Sequence, residues 1–202
     1  MSKSVLKGRY DGGEEKGSKR ALLVIDVQNE YFTGKLPISY PTNSFSNILQ
    51  VMDKANENEI PVVVIQHTLN KEGAVAFVKD TDGWELHDEI KNRKYSHYIE
   101  KTLPSSFIHT DLEEWLAKNN IDTITISGYM THQCCDITAK YAMHLGYNVE
   151  FLSDATGTIS IENEQGKISA EELHKMILVI QASRFSKVLN TNEWINQIKK
   201  DK

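Results

Sequence analysis

The sequence predicts an α/β fold in which helices cover both faces of a parallel sheet. Two observations carry that expectation. Short apolar runs rich in β-branched residues recur along the chain (ALLVIDV, PVVVIQ, ITIS), and unbroken apolar character marks strands buried on both sides. Between them lie longer stretches with apolar residues at helical spacing, and strand–helix alternation at this interval builds parallel sheets. A length of 202 residues fits a single domain that buries its core without staples.

The opening segment, MSKSVLKGRYDGGEEKGSKR, is polar and Gly-rich, so residues 1–20 read as a flexible or surface-draped lead-in to one domain over 21–202. ALLVIDV (21–27) is the first strand. Residues 44–58 place Phe45, Ile48, Leu49, Met52 and Ala55 at helical spacing, with Ser44 as the expected N-cap. Pro61 opens the second strand. The polar stretch 67–97 carries isolated Gly and Trp residues and reads as a long excursion serving function rather than framework. A short strand near 98–100 leads to Lys101, and 111–117 is a helix with acids in its first turn. ITIS (124–127) runs through Gly128-Tyr129-Met130 into a helix from about Thr131. That helix is expected to carry Cys134, Ile137, Tyr141, Ala142 and Leu145 on one stripe, with Gly146 as its C′ residue. A strand over 147–152 ends at Ser153-Asp154-Ala155. A helix over 170–182, a short strand in SKVLN and a terminal turn or helix from Thr191 complete the chain.

The formal charge of −5 and the absence of a basic stripe argue against nucleic-acid partners. Neither an apolar run of about eighteen residues nor a signal-peptide pattern occurs, so no membrane partner and a cytoplasmic location are expected. The two cysteines, Cys134 and Cys135, are adjacent. A bond between neighbours strains the intervening peptide, which excludes a disulfide framework and fits a reducing compartment.

In parallel sheets, ligands collect outside the carboxyl ends of the strands. Asp26 ends the first strand, Lys101 follows the short middle strand, and Cys134 follows ITIS, so the three converge on one edge. At a strand-to-helix turn, a thiol meets unpaired backbone N–H groups and the positive end of the helix dipole, which favour its thiolate. A free thiol of pKa about 8.5 is still only a few per cent ionised at neutral pH and needs a base. Asp26 suits that role, with Lys101 keeping the carboxylate ionised and stabilising the thiolate. The set suits acyl transfer to water with cleavage of an amide-type C–N bond. Singly, each residue has a duller reading: a turn cap, a surface charge, a small core residue.

On these residues the chain resembles the isochorismatase-like cysteine hydrolases. The resemblance runs through LLVIDVQNEYF (22–32), DGWELHDEI (82–90), EKTLPSSF (100–107), ISGYMTHQCCDITAKYAMHLGYNVEFLSDATGT (126–158) and EELHKMILVIQASRFSKVLNT (171–191). It implies a three-layer α/β/α, Rossmann-like fold with a six-stranded parallel sheet and an Asp26–Lys101–Cys134 triad. It also implies a cis peptide at Tyr129–Met130, an oxyanion hole from the N–H groups of Met130 and Cys134, and a homo-oligomer, dimer or tetramer. Phe32, Trp84, Tyr129 and His132 are the candidate substrate-binding residues. Trp84 also reads as an anchor for the surface loop 71–90, and His132 as a helix cap. Cys135 reads as core packing, and His174 as a solvated or core histidine.

Nicotinamidases of this family carry a metal-binding Asp-x-His motif after the second strand. This chain reads Gln66-His67-Thr68-Leu69-Asn70 there, and its other histidines lack ligand spacing, so neither a metal nor another cofactor is expected. The leading expectation is a metal-independent cysteine amidohydrolase acting on a small amide, carbamoyl or ureido compound through a thioester. Isochorismate hydrolysis, a vinyl-ether cleavage resting on the Asp, is the alternative enzyme. A non-catalytic binding module on the same fold is the alternative of another class.

Overall fold

A computed structural model describes residues 18–200. Most of the expected lead-in, residues 1–17, lies outside the described residues, as do 201 and 202 of the polar end. The strands are β1 (Arg20–Ile25), β2 (Val62–His67), β3 (His97–Lys101), β4 (Thr123–Tyr129), β5 (Asn148–Gly157), β6 (Ile161–Asn163), β7 (Gly166–Ile168) and β8 (Lys187–Leu189). Six of them form one sheet in the order β3-β2-β1-β4-β5-β8, and every pairing in it is parallel. The chain builds outward from β1 to β3, then crosses back to lay β4 on the other side of β1. That reversal creates a crevice at the carboxyl ends of β1 and β4.

The helices are α1 (Ser44–Glu57), α2 (Asp88–Lys91), α3 (Leu112–Lys118), α4 (Asp136–His144), α5 (Ala170–Ile180) and α6 (Thr191–Lys200). Alternate residues of β1 feed opposite layers, as the period of a strand requires. Leu22 and Val24 join Ile48 and Met52 of α1 with Trp194 and Ile198 of α6. Leu23 and Ile25 join Leu112 and Leu116 of α3 with Ala139 and Ala142 of α4. Burying each such side chain is worth about 1.5–3 kcal/mol, which is why both faces need a helical cover. The expected three-layer α/β/α fold with a six-stranded parallel sheet is the observed one. No helix among the described residues is long and apolar enough to cross a membrane.

Four local expectations are corrected. Ser44 is the first residue of α1 rather than its cap: Asn43 precedes the helix, and the Ser44 hydroxyl lies 3.3 Å from the Tyr129 hydroxyl. The helix expected from Thr131 begins with a π turn over Thr131–Cys135 before α4. The wider turn rotates everything after it, so the stripe changes. Cys135, Thr138, Ala139 and Ala142 are buried, whereas Ile137, Tyr141 and Leu145 are 39%, 37% and 37% exposed. Strand β5 does not stop at 153–155 but continues to Gly157, after a register shift between the Ile126 and Gly128 pairings. Finally, the β6–β7 hairpin was not anticipated. Its strands have three residues each and are mostly exposed and polar, so no apolar alternation marks them.

Candidate active site

Each of the three converging residues is placed by the end of a strand. Asp26 directly follows β1 and takes a left-handed backbone (φ 53) while its N–H donates to the Ile65 carbonyl of β2. Lys101 is the last residue of β3 rather than the residue after it, and pairs in register with His67 of β2. Cys134 is the fourth residue of the π turn that leaves β4. A Cβ on Gly128 would lie 2.1 Å from the Ile25 carbonyl oxygen, so only glycine lets β4 come this close to the end of β1.

The side chains meet at the Lys101 ammonium. Its Nζ stands 2.8 Å from Asp26 Oδ2, with both side chains fully buried. Three aligned hydrogen bonds leave the same nitrogen, to Cys134 Sγ (3.3 Å), the Leu103 carbonyl (3.2 Å) and His67 Nδ1 (3.4 Å). With the Asp26 carboxylate these make four acceptors around a group that has three hydrogens to give. The Asp26 contact is the shortest of the four and joins opposite charges, and its angle leaves both Asp26 oxygens without an aligned donor among the described residues. A carboxylate so placed keeps its lone pairs for another proton.

Burial and the two charged neighbours set the protonation of the thiol. Burial, and after it the Asp26 charge, push the Cys134 thiol up to about 12, with Lys101 pulling the other way. The resting group is a thiol, because desolvation outweighs the favourable dipole of the turn. Lys101 is raised: burial works against its charge, but Asp26 and Cys134 more than compensate. His67 is lowered, chiefly by burial and also by Lys101, and is neutral near pH 7.

The other expected site residues are distributed as follows. The Tyr129–Met130 peptide is cis. Cys134 lies in the first turn after β4, between Gln133 and Cys135, whose N–H groups both donate to the Met130 carbonyl. Phe32 packs in an aromatic group with Phe45, His87 and Tyr129, at ring separations of 4.7, 4.6 and 6.0 Å. Tyr129 is buried beside Tyr31. His132 bonds Thr158 Oγ1 through Nδ1 at 2.6 Å, while its Nε2 is buried without a partner among the described residues. The Trp84 indole N–H donates to Thr68 Oγ1, the Trp84 carbonyl accepts from Gln28 and Gln66, and Lys79 sits over the ring. These contacts pin the excursion to the ends of β1 and β2, the anchor role weighed for this residue. His174 is a core histidine: its Nε2–H donates to the Ser153 carbonyl, so Nδ1 accepts from Thr131 at the start of the π turn. Cys135 is fully buried, as core packing requires.

Sequence reasoning missed two neighbours of the centre. Tyr31 is buried, and its hydroxyl is held well above the phenol range by burial first and then by Cys134 and Asp26. His67 touches Lys101 directly. The strand-end argument that found Asp26 and Lys101 would have found His67, had it been extended to the second strand. Among the described residues no group of three His, Cys, Asp or Glu side chains could hold a metal ion. Gln66 and Thr68, flanking His67, are already engaged by Trp84, Tyr98 and Glu100. The nicotinamidase type of metal site does not fit these residues.

A family model described as "Isochorismatase domain" matches residues 20–192. A crystal structure of a protein provisionally named an isochorismatase, from Burkholderia xenovorans LB400, is 47% identical. It superposes with a TM-score of 0.89, covering 92% of this chain and 89% of that one. The uncharacterized isochorismatase family protein YrdC of Bacillus subtilis is 30% identical over 88% of this chain and 95% of its own length. Nicotinamidase 3 of Arabidopsis thaliana is 29% identical over 86% of this chain and 85% of its own length.

Proposed function

This chain belongs to the isochorismatase family of hydrolases, and from that premise we propose that it cleaves the C–N bond of a small amide, carbamoyl or ureido substrate with Cys134 as nucleophile. The observation that carries the reading is the shared ammonium. The Lys101 ammonium stands 3.3 Å from Cys134 Sγ and 2.8 Å from Asp26 Oδ2, so one buried cation faces both the nucleophile and its base. When substrate arrives, Asp26 accepts the thiol proton and the sulfur attacks the carbonyl carbon, with Lys101 neutralising the charge that forms. The carbonyl oxygen becomes an oxyanion facing the N–H groups of Met130 and Cys134. Collapse breaks the C–N bond, and Asp26 returns its proton to the leaving nitrogen. Asp26 then takes a proton from water, whose oxygen attacks the thioester. The thiolate leaves, recovers a proton from Asp26, and the acid departs.

His132, with one buried unpartnered nitrogen, and Tyr31 are the polar groups placed to meet the substrate, and Phe32 and Tyr129 supply apolar packing. The relative named a nicotinamidase supports amide hydrolysis as the reaction class. The test is a panel of small amides, carbamoyl and ureido compounds followed by ammonia release, with isochorismate alongside. Cys134→Ala and Asp26→Asn are each expected to lower kcat by about 10³-fold or more. Full activity of Cys134→Ala on an amide, or turnover of isochorismate alone, rejects the thioester route.

A further inference from the structure

His67 has no role in the steps above, yet it is fastened to the centre of them. Its backbone is gripped on both sides by the buried Gln28 amide: Gln28 Oε1 accepts from His67 N–H at 2.8 Å, and Gln28 Nε2 donates to the His67 carbonyl at 2.9 Å. Register sets it opposite Lys101, and the Phe77 ring packs on the imidazole at 5.4 Å. An ammonium can donate to His67 Nδ1 only if that nitrogen carries a lone pair, which requires an uncharged ring.

We propose that His67 is the positioning residue of the hydrolytic centre: with the Leu103 carbonyl it holds the Lys101 ammonium turned toward Cys134 Sγ rather than fully onto Asp26. Without His67 the ammonium would be free to turn a hydrogen fully onto the Asp26 carboxylate. That would occupy the base and withdraw the positive group from the sulfur. The first slows proton transfer in hydrolysis, and the second, the loss of the nearby cation, lowers the thiolate fraction. The inference rests on the cysteine-hydrolase reading, but it has a readout that needs no substrate.

The decisive variants are His67→Leu, which removes the acceptor, and His67→Asn, whose side-chain oxygen replaces Nδ1. At pH 9 the rate of iodoacetamide alkylation of Cys134 follows its thiolate fraction. His67→Leu is expected to slow alkylation about tenfold and to lower kcat about 10–100-fold, with KM within about threefold. His67→Asn is expected to restore both rates to within about threefold of the parent. If His67→Leu does not fold, His67→Gln, whose longer amide misses the Nδ1 position, takes its place. Parent-like alkylation by the Leu or Gln variant overturns the inference, as does an Asn variant impaired as much as they are. Absence of amide turnover in the parent would instead count against the underlying reading.

Discussion

Burial and the Asp26 carboxylate hold the proton on Cys134, while the Lys101 ammonium works to release it. The two charged neighbours therefore have opposite effects on the free thiol, although hydrolysis needs both. Asp26→Asn removes the negative charge that raises the thiol, so its thiolate fraction should grow and alkylation at pH 8 should quicken even as hydrolysis is lost. Lys101→Met removes the opposing positive charge, so alkylation should slow. In the parent enzyme the rate should climb about tenfold per pH unit between pH 7 and pH 10 without a plateau, because the thiol titrates only near 12. A plateau below pH 9 would show a thiol much less desolvated than the buried sulfur described above. The sequence argued for Lys101 as the group that stabilises the thiolate, but the opposing weight of burial was not legible there. Burial is a property of the surrounding layers.

At the scale of elements, the site depends on how tightly β4 approaches β1 before the π turn. Gly128 has φ +107, and a Cβ there would strike the Ile25 carbonyl carbon and oxygen within 3 Å. Gly128→Ala should destabilise the fold by several kcal/mol, on the order of 3 or more, because strain and a clash with backbone add. Gly146 has φ +93 but open space around it, so Gly146→Ala should cost only about 1 kcal/mol of strain. Urea denaturation of the pair checks the contrast, and equal losses would remove close approach as the reason for Gly128. The sequence marked Gly146 as a helix terminator and gave Gly128 no role beyond its place in the strand-to-helix turn, since the need for it lies in a neighbouring strand. The π turn was equally hidden: Cys134, Ile137, Tyr141 and Leu145 suit an unbroken helix, and one widened turn exposes the last three.

Across the whole molecule, the framework was legible because it rests on local pattern: the six strands read from the sequence, three of them apolar runs, are the six parallel strands, and residues 26, 101 and 134 met at their carboxyl ends. What escaped notice rests on long-range partners, such as His67 beside Lys101 and the network in the amino half of the sheet. There Glu150 of β5, nearly fully buried, accepts from Arg20 of β1, Thr125 of β4, and both Trp194 and Gln197 of α6. That carboxylate ties three strands to the last helix, and all its partners stand away from the triad's edge. Stability and catalysis should accordingly separate. Trp194→Phe removes the indole donor 2.9 Å from Glu150 Oε2 and some packed volume, while Thr125 still donates to that oxygen. The loss of one hydrogen bond to a buried charge should cost about 1–3 kcal/mol, which for a chain of this size lowers Tm by roughly 2–10 °C. At 25 °C kcat/KM should stay within about twofold, since neither β1 nor β4 changes where it delivers its catalytic side chain. Thermal melts and steady-state kinetics on the same preparation decide the matter. A parallel fall in kcat/KM would mean that the clamp in the amino half sets the geometry of the triad across the length of the sheet.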